Sequence, residues 1–463
     1  MAHPFRGVRF FITWVYLSDG GQGMKERIDK ERLHLFAPRD ILVTHVEVEG
    51  IIFIEKLKEA VKNAVARNEI LNSRVVIEKD GNAYYETQKF DDNPNDMVRV
   101  LHNVYWKDIV SEQESIAFDL DHGELLRFYY LMNEDKQEFL IIAHALAGDG
   151  ASHGFFLNDV MRGLSDMPVK AKPLTRFQLS SLPKESRLSF MEKMKLSSTL
   201  RNWNKEGTDF TEEEYYQLHA QAWRNKKTWI QYETFHKDAL YRIALYAKNQ
   251  QVTVNSVLLT AFARASRELR TAVVVDAKGR QQEAGLKPDQ IAMVLSLRGE
   301  YDGMGDYEYT YPIEYLYDDT LDFAQNVKKL HSRIHLDNSK EKYQQLGLLG
   351  ELPGELVDSV QFQLNGRYVN PVTETIMKRL GMGEAPKGMA VTNLVKVPLA
   401  SRYGSLRLYN YVFVPPVTAN ARRIIGVTTF QGVMNLSFHA MDDEFTPNSR
   451  LFYQKSIAYL REL

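Results

Sequence analysis

Two imidazoles, a carboxylate and a hydroxyl fall within the ten residues His144-Ala145-Leu146-Ala147-Gly148-Asp149-Gly150-Ala151-Ser152-His153. An imidazole exchanges protons near neutral pH, a carboxylate can grip an arginine, and glycines let a loop backbone approach its surroundings closely. Gly150-Ala151-Ser152-His153-Gly154 also fits G-x-S-x-G, the strained turn on which an α/β hydrolase carries a serine that attacks esters. Such a serine follows directly on its strand. Here the apolar run Phe139–Ala143 ends well before Ser152, and no series of parallel βα units surrounds it, so a Ser152 esterase is the remote alternative. His144 sits at the end of that apolar run, facing opposite Ala145, and is expected as a core histidine that shapes the loop; His153 falls at a helix start.

Other chemistries find no support. There is no H-E-x-x-H, no G-x-x-x-x-G-K-[ST] and no G-x-G-x-x-G opening a helix after a strand, so metal, nucleotide-hydrolysing and dinucleotide sites are not indicated. The absence of cysteine excludes disulfides, thiolate metal sites and a cysteine nucleophile. Lys+Arg 58 against Asp+Glu 60, without a long single-sign block, argues against nucleic acid as a partner. The N-terminal apolar patch Phe10–Leu17 is short and contains Thr13 and Tyr16; it reads as a strand, not a signal or membrane span, and the expected location is the cytoplasm.

A chain of 463 residues exceeds what one core usually serves, so two domain-sized units are expected. Ile41–Ile54 alternates and is rich in Val and Ile, and Leu57, Ala60, Val61, Ala64 and Val65 then recur at helical spacing. Arg74–Ile77, a Lys79-Asp80-Gly81-Asn82 turn and Ala83–Tyr85 read as a hairpin, and Leu125–Met132 and Glu138–Ala143 as further strands. This mixture is α+β, with residues 1–165 as an N-terminal lobe carrying the loop 144–150. Prolines and charged stretches make 166–229 a crossover, and 230–463 the second lobe. That lobe is expected to hold helices over Asp238–Lys248 and Val257–Ala265. Strands should follow at Ile291–Leu297, Leu406–Val414, Arg423–Thr429 and Val433–His439, then a helix over Pro447–Leu463. The tyrosines 301, 307, 309, 311, 315 and 317 read as packing and loop surface.

The loop resembles the H-H-x-x-x-D-G signature of condensation domains and chloramphenicol-acetyltransferase-like acyltransferases, with Ala145 in place of the second histidine. Five further segments resemble that superfamily in the same order. They are Arg67–Arg74, Val252–Leu259, Leu295-Ser296-Leu297-Arg298, Val391-Thr392-Asn393-Leu394 and Phe430–Ser437.

The resemblance implies two chloramphenicol-acetyltransferase-like lobes in a V around a central substrate tunnel. An acyl thioester of coenzyme A or of a carrier protein's phosphopantetheine arm enters one face, and an amine or alcohol acceptor the other. The donor is a substrate; no permanently bound cofactor is implied, and a monomer is expected, with any carrier protein acting in trans. By the same resemblance, Asp149 holds the loop through Arg298, Gly150 permits the turn, Asn393 borders the tunnel, Ser152 caps the following helix, and amides of Gly148–Gly150 polarise the thioester oxygen. Proton transfer by the missing histidine usually contributes about 10²–10⁴ in rate. The chain as written is therefore expected to be nearly inactive unless another group substitutes. It is then either a base-less variant of an active enzyme or a degenerate protein that binds an acyl carrier or partner.

Overall fold

The computed structural model describes residues 24–463, apart from 80, 89–96, 135, 179–180, 183, 209, 225–227, 270–273, 276–280, 283–288, 337–338, 383–388, 396 and 442–447. Phe10–Leu17, and Asp80 of the hairpin turn, lie outside the described residues.

A short strand β1 (Lys25–Arg27) and a single helical turn α1 (Arg32–Leu35) lead into β2 (Ile41–Glu49). Ile41–Val46 is buried without interruption, as an apolar, β-branched run covered on both faces must be. Helix α2 (Ile54–Arg67) buries Leu57, Ala60, Val61, Ala64 and Val65, the stripe that its 3.6-residue spacing sets. Strands β3 (Ser73–Ile77) and β4 (Ala83–Thr87) pair antiparallel around Gly81, whose φ of 77° suits glycine. Strand β5 (Val98–His102), helix α3 (Trp106–Gln113) and the antiparallel pair β6 (Leu126–Met132) and β7 (Gln137–His144) complete this region, and helix α4 (Gly150–Leu164) follows the motif loop.

Residues 166–229, expected as a plain crossover, carry two helices, α5 (Phe190–Glu206) and α6 (Glu212–Trp223). Each opens with a capping box, Ser189 with Glu192 and Thr211 with Glu214, so two otherwise orphaned amides are satisfied at each start.

The second half contains β8 (Thr228–Phe235), α7 (Lys237–Asn249) and α8 (Val254–Leu269). The two-residue strands β9 (Val274–Val275) and β10 (Gln281–Gln282) precede β11 (Asp289–Ser296) and β12 (Glu308–Tyr315). Four helices follow, α9 (Phe323–Ile334), α10 (Ser339–Leu349), α11 (Gly354–Leu364) and α12 (Pro371–Arg379), then β13 (Met389–Leu394), β14 (Arg402–Tyr403), β15 (Leu406–Val414), β16 (Arg423–Phe430), β17 (Val433–Met441) and α13 (Ser449–Arg461).

Two six-stranded sheets organise these elements, in the orders β14-β15-β2-β7-β6-β5 and β12-β11-β13-β16-β17-β8. The first corrects the lobe boundary at 230: Leu406–Val414 is a strand, as expected, but it pairs antiparallel with β2 in the N-terminal sheet. The register shifts between Tyr409 and Val412, where Asn410 takes a φ of 51°. Such a bulge frees backbone groups from the ladder. The second sheet receives them. Thr428 Oγ1 and Asn435 Nδ2 donate to the Tyr411 carbonyl at 2.8 and 2.9 Å, and Ser437 Oγ donates to the Phe413 carbonyl at 2.5 Å. The tyrosine-rich stretch, expected as packing and loop, is in part β12: Tyr309, Tyr311, Ile313 and Tyr315 are buried at alternate positions in the second core, which leaves Glu308 and Thr310 on the other face.

Asn435 accepts from Thr234 Oγ1 at 2.7 Å while donating to Tyr411, so its removal takes one bond from each sheet and leaves the Tyr411 carbonyl to Thr428 alone. Asn435→Ala is expected to cost about 1–2 kcal/mol, in line with the loss of two hydrogen bonds, read as a lowered urea midpoint with an unchanged m-value.

Candidate active site

Strand β7 delivers His144 to the edge of the interlobe space, and the chain then makes a one-turn 3₁₀ helix over Ala145–Ala147. Gly148 adopts a φ of 155°, and a Cβ there would lie 2.4 Å from Ser152 Oγ, so only glycine fits. Asp149 is the N-cap of α4. Its Oδ1 accepts from the Ser152 amide at 2.9 Å, and Ser152 Oγ accepts in return from the Asp149 amide at 3.1 Å. Ser152, expected as the cap itself, is the third residue of this reciprocal box.

Across the interlobe junction, Arg298, just beyond β11, brings Nη2 within 2.6 Å of Asp149 Oδ1 and 2.6 Å of Ser152 Oγ. Its guanidinium also donates to the carbonyls of Gly303 at 2.5 Å and Gly305 at 2.7 Å. Asp149 Oδ2 accepts the Tyr307 amide at 3.2 Å. All three side chains are buried. The hydroxyl of Ser152 is thus held among Arg298, Asp149 and the Gly305 carbonyl, with no imidazole among its partners, which removes the basis for a serine nucleophile.

A cavity of about 250 Å³ opens against this loop. Ala145, Gly148 and Asp149 line it from the motif; Lys30, His34, Arg39 and Asp40 line it from the segment before β2; Val294, Glu308, Thr310 and Thr392 line it from the second sheet. Both lobes contribute, and the Ala145 side chain stands at the wall. Asn393 does not join it: alternation along β13 turns Thr392 toward the cavity and leaves Asn393 donating to Asn255 Oδ1 at 3.2 Å.

The motif amides are also differently employed from expectation. Gly148 N donates to the Ala145 carbonyl at 3.1 Å, Asp149 N to Ser152 Oγ and the Gly305 carbonyl, and Gly150 N to Glu308 Oε1 at 3.3 Å. Each has an internal acceptor and none is left bare for a thioester oxygen.

Neither nearby histidine is aimed at the cavity. His144 Nδ1 accepts the Leu146 amide at 3.1 Å, its ring meets Phe118 edge to face, and burial, with the positive fields of His34, His219 and Arg127, pushes its pKa down to about 3. It is a neutral imidazole that shapes the loop. His153 Nδ1 pairs with Thr44 Oγ1 at 2.9 Å, and burial holds it near 3 as well.

The ionisable groups at the wall were not singled out from sequence. His34, with 28% of its side chain exposed, has Nδ1 2.7 Å from Asp40 and Nε2 3.3 Å from Asp306. Burial opposes its charge, but those two carboxylates outweigh it and raise the pKa to about 10. Lys30 also bonds Asp306, and burial of that carboxyl is overcome by Lys30 and His34, which hold it well below the usual range. Glu308 runs the other way. Burial, then the nearby Asp149 and Asp306, raise it to about 8. The one sequence signal was alternation: Glu308 is the polar phase of a strand whose other phase is Tyr309, Tyr311, Ile313 and Tyr315.

No family model and no curated protein matches this chain. Solved structures do. The first condensation domain of the calcium-dependent antibiotic synthetase, in complex with a substrate analogue, superposes with a TM-score of 0.62 at 12% identity, covering 95% of this chain and 96% of that one. The condensation domain of the monacolin K polyketide synthase MokA gives 0.59 at 12% identity over 96% and 98% of the two chains. Polyketide synthase associated protein 5 from Mycobacterium tuberculosis gives 0.56 at 12% over 94% and 96%. The chain has the two-lobed α+β fold of condensation domains. Among the described residues, no helix is long and apolar enough to cross a membrane.

Two measurements follow from the charge arrangement. Asp149→Ala leaves Arg298 buried without its carboxylate and is expected to cost about 3–5 kcal/mol in urea unfolding; combined with Arg298→Met, the loss should be smaller than the sum of the single losses by more than about 1 kcal/mol. For pH, His34 is raised from 6.5 to about 10, so its stabilisation is complete below about 6.5 and disappears as pH climbs to about 10. Glu308, raised from 4.5 to about 8, costs stability increasingly between those values. Both slopes point the same way. The thermal midpoint should fall from pH 6.5 to 10, and His34→Asn should flatten that fall.

Proposed function

We propose that this protein transfers an acyl group from a thioester, carried by coenzyme A or by a carrier protein's phosphopantetheine arm, to an amine or alcohol. The observation that carries the reading is the conjunction at the interlobe cavity: Asp149 locked by Arg298 beneath a loop whose residue 145 faces the space between the sheets. Solved structures with this fold include condensation domains of antibiotic and polyketide synthetases. A thioester and an acceptor entering from opposite faces would meet at Ala145. The reaction would be direct attack without an acyl-enzyme, consistent with the absence of cysteine and with the fully engaged Ser152 hydroxyl.

The site lacks an imidazole at residue 145, and alanine accepts no proton. Turnover should therefore be slow. Thiol release from a panel of acyl-coenzyme A and acyl-carrier donors, with amine and alcohol acceptors, tests this. Ala145→His is expected to raise acceptor-dependent release over the chain as written, by as much as about 10²–10⁴ where no other group takes the proton. Silence from both proteins, with normal donor binding, would instead favour a protein that binds acyl carriers or partners without turning them over.

A further inference from the structure

Resting on acyl transfer as the site's reaction, we infer that Glu308 is a catalytic residue, taking the proton of the attacking acceptor in place of the histidine absent at residue 145. Three features of the cavity single it out. Glu308 lines the cavity from the start of β12, beside Tyr309 and Thr310, and its Oε1 receives the amide of Gly150, so the carboxyl is docked on the motif loop itself.

Secondly, the other carboxylates at the wall are committed to cations. Asp149 is held by Arg298, Asp306 by Lys30 and His34, and Asp40 by His34. Among the described residues no cation lies within hydrogen-bond distance of the Glu308 carboxyl; Lys30 Nζ reaches only its backbone carbonyl, at 2.8 Å. Thirdly, the imidazoles are disqualified. His144 and His153 turn into the cores, and His34, clasped by Asp40 and Asp306, already carries the proton that a base would need to accept.

The groups facing Glu308 from each neighbouring element set its affinity for a proton. Burial most of all, then Asp149 from the loop and Asp306 from its own chain segment, disfavour the carboxylate, while the Gly150 amide and, after it, Lys30 favour it less strongly. His34, Glu31, Asp40 and Arg298 complete the charged surroundings through those partners. The result, near 8, is far closer to working pH than an ordinary glutamate at 4.5. A proton carrier works best there.

The step balances. As the acceptor nitrogen or oxygen bonds to the thioester carbon, its proton passes to the Glu308 carboxylate. The carbon–sulfur bond then breaks with its electron pair going to sulfur, and the carboxyl returns the proton to the leaving thiolate. The free thiol departs and the carboxylate is regenerated.

The test compares the chain as written, Glu308→Gln, Glu308→Asp and Ala145→His, using acceptor-dependent thiol release from pH 6 to 9.5 together with donor affinity by calorimetry. For the chain as written, kcat is expected to rise about tenfold per pH unit and to level near pH 8, the profile of one general base. Glu308→Gln should lower kcat by about 10²-fold or more with donor affinity kept, and Glu308→Asp should recover part of the rate with a shifted pH profile. A merely structural role would leave the profile in place. Equal kcat in Glu308→Gln, an unshifted profile in Glu308→Asp, or turnover in Ala145→His alone would overturn the role of Glu308 while leaving acyl transfer intact. Silence from Ala145→His as well would overturn both.

Discussion

A single buried ion pair decides where everything else at the site stands. Asp149 and Arg298 come from opposite lobes, and neither is solvated, so each needs the other's charge together with hydrogen bonds for its remaining atoms. Those bonds are what build the loop. Asp149 caps α4, takes the Tyr307 amide and binds Ser152, while Arg298 collects the carbonyls of Gly303 and Gly305. A cap, a helix start, a strand entry and a turn are thereby fixed relative to one another by one carboxylate and one guanidinium. An ion pair of this sort is weak evidence for net stability, since two apolar residues would avoid the desolvation. Its contribution is positional: it specifies which face of the motif loop meets the second sheet.

The same constraint propagates into the cavity's electrostatics. Placing Asp149 beneath the loop puts a carboxylate near Glu308, and the segment before β2 adds Asp306's partners Lys30 and His34 on the other flank. Cations and anions do not cancel evenly. His34 sits between two carboxylates and is held protonated, whereas Glu308, buried and then near two carboxylates without a cation of its own, is held neutral up to about 8. Titratable groups pushed apart in this way are what proton-transfer sites are made of. The outer architecture has its own version of this exchange between lobes: the bulge in β15 frees the Tyr411 carbonyl, and two side chains of the second sheet take it up.

Much of this was legible from sequence wherever the signal was local. The buried run Ile41–Val46, the stripe Leu57 to Val65 and the 73–87 hairpin each follow from spacing a few residues long, and the structure places them where that spacing does. The overall two-lobed α+β fold came from the order of several weak segments, not from any one. What was not legible depended on distance along the chain. Nothing within Leu406–Val414 says that it pairs with β2, more than 350 residues earlier, as Arg407 opposite Glu49 shows. The helices of 190–223 were hidden by the charge of the segment and the prolines that precede it; α5 buries only Leu196 and Trp203, too few positions to show a stripe. Glu308 and His34 were missed because a polar residue on a strand and a histidine in a short turn are ordinary, and only the cavity makes them neighbours.

Position 145 shows how architecture and chemistry separate in such a site. The loop's conformation uses the backbone of this residue, whose amide donates to the Asp40 carbonyl at 2.9 Å and whose carbonyl receives the Gly148 amide. The structural side chains are those of His144, Asp149 and Ser152. None of these bonds involves the side chain at 145, a buried methyl at the cavity wall. The loop's hydrogen bonds are thus independent of the side chain at 145. The loop's chemical environment lies beside it: a carboxyl docked on its Gly150 amide, lining the same cavity, with its proton affinity raised by burial and then by Asp149. The carboxylate that fixes the loop thus also adds, after burial itself, to the raised proton affinity of the group beside it.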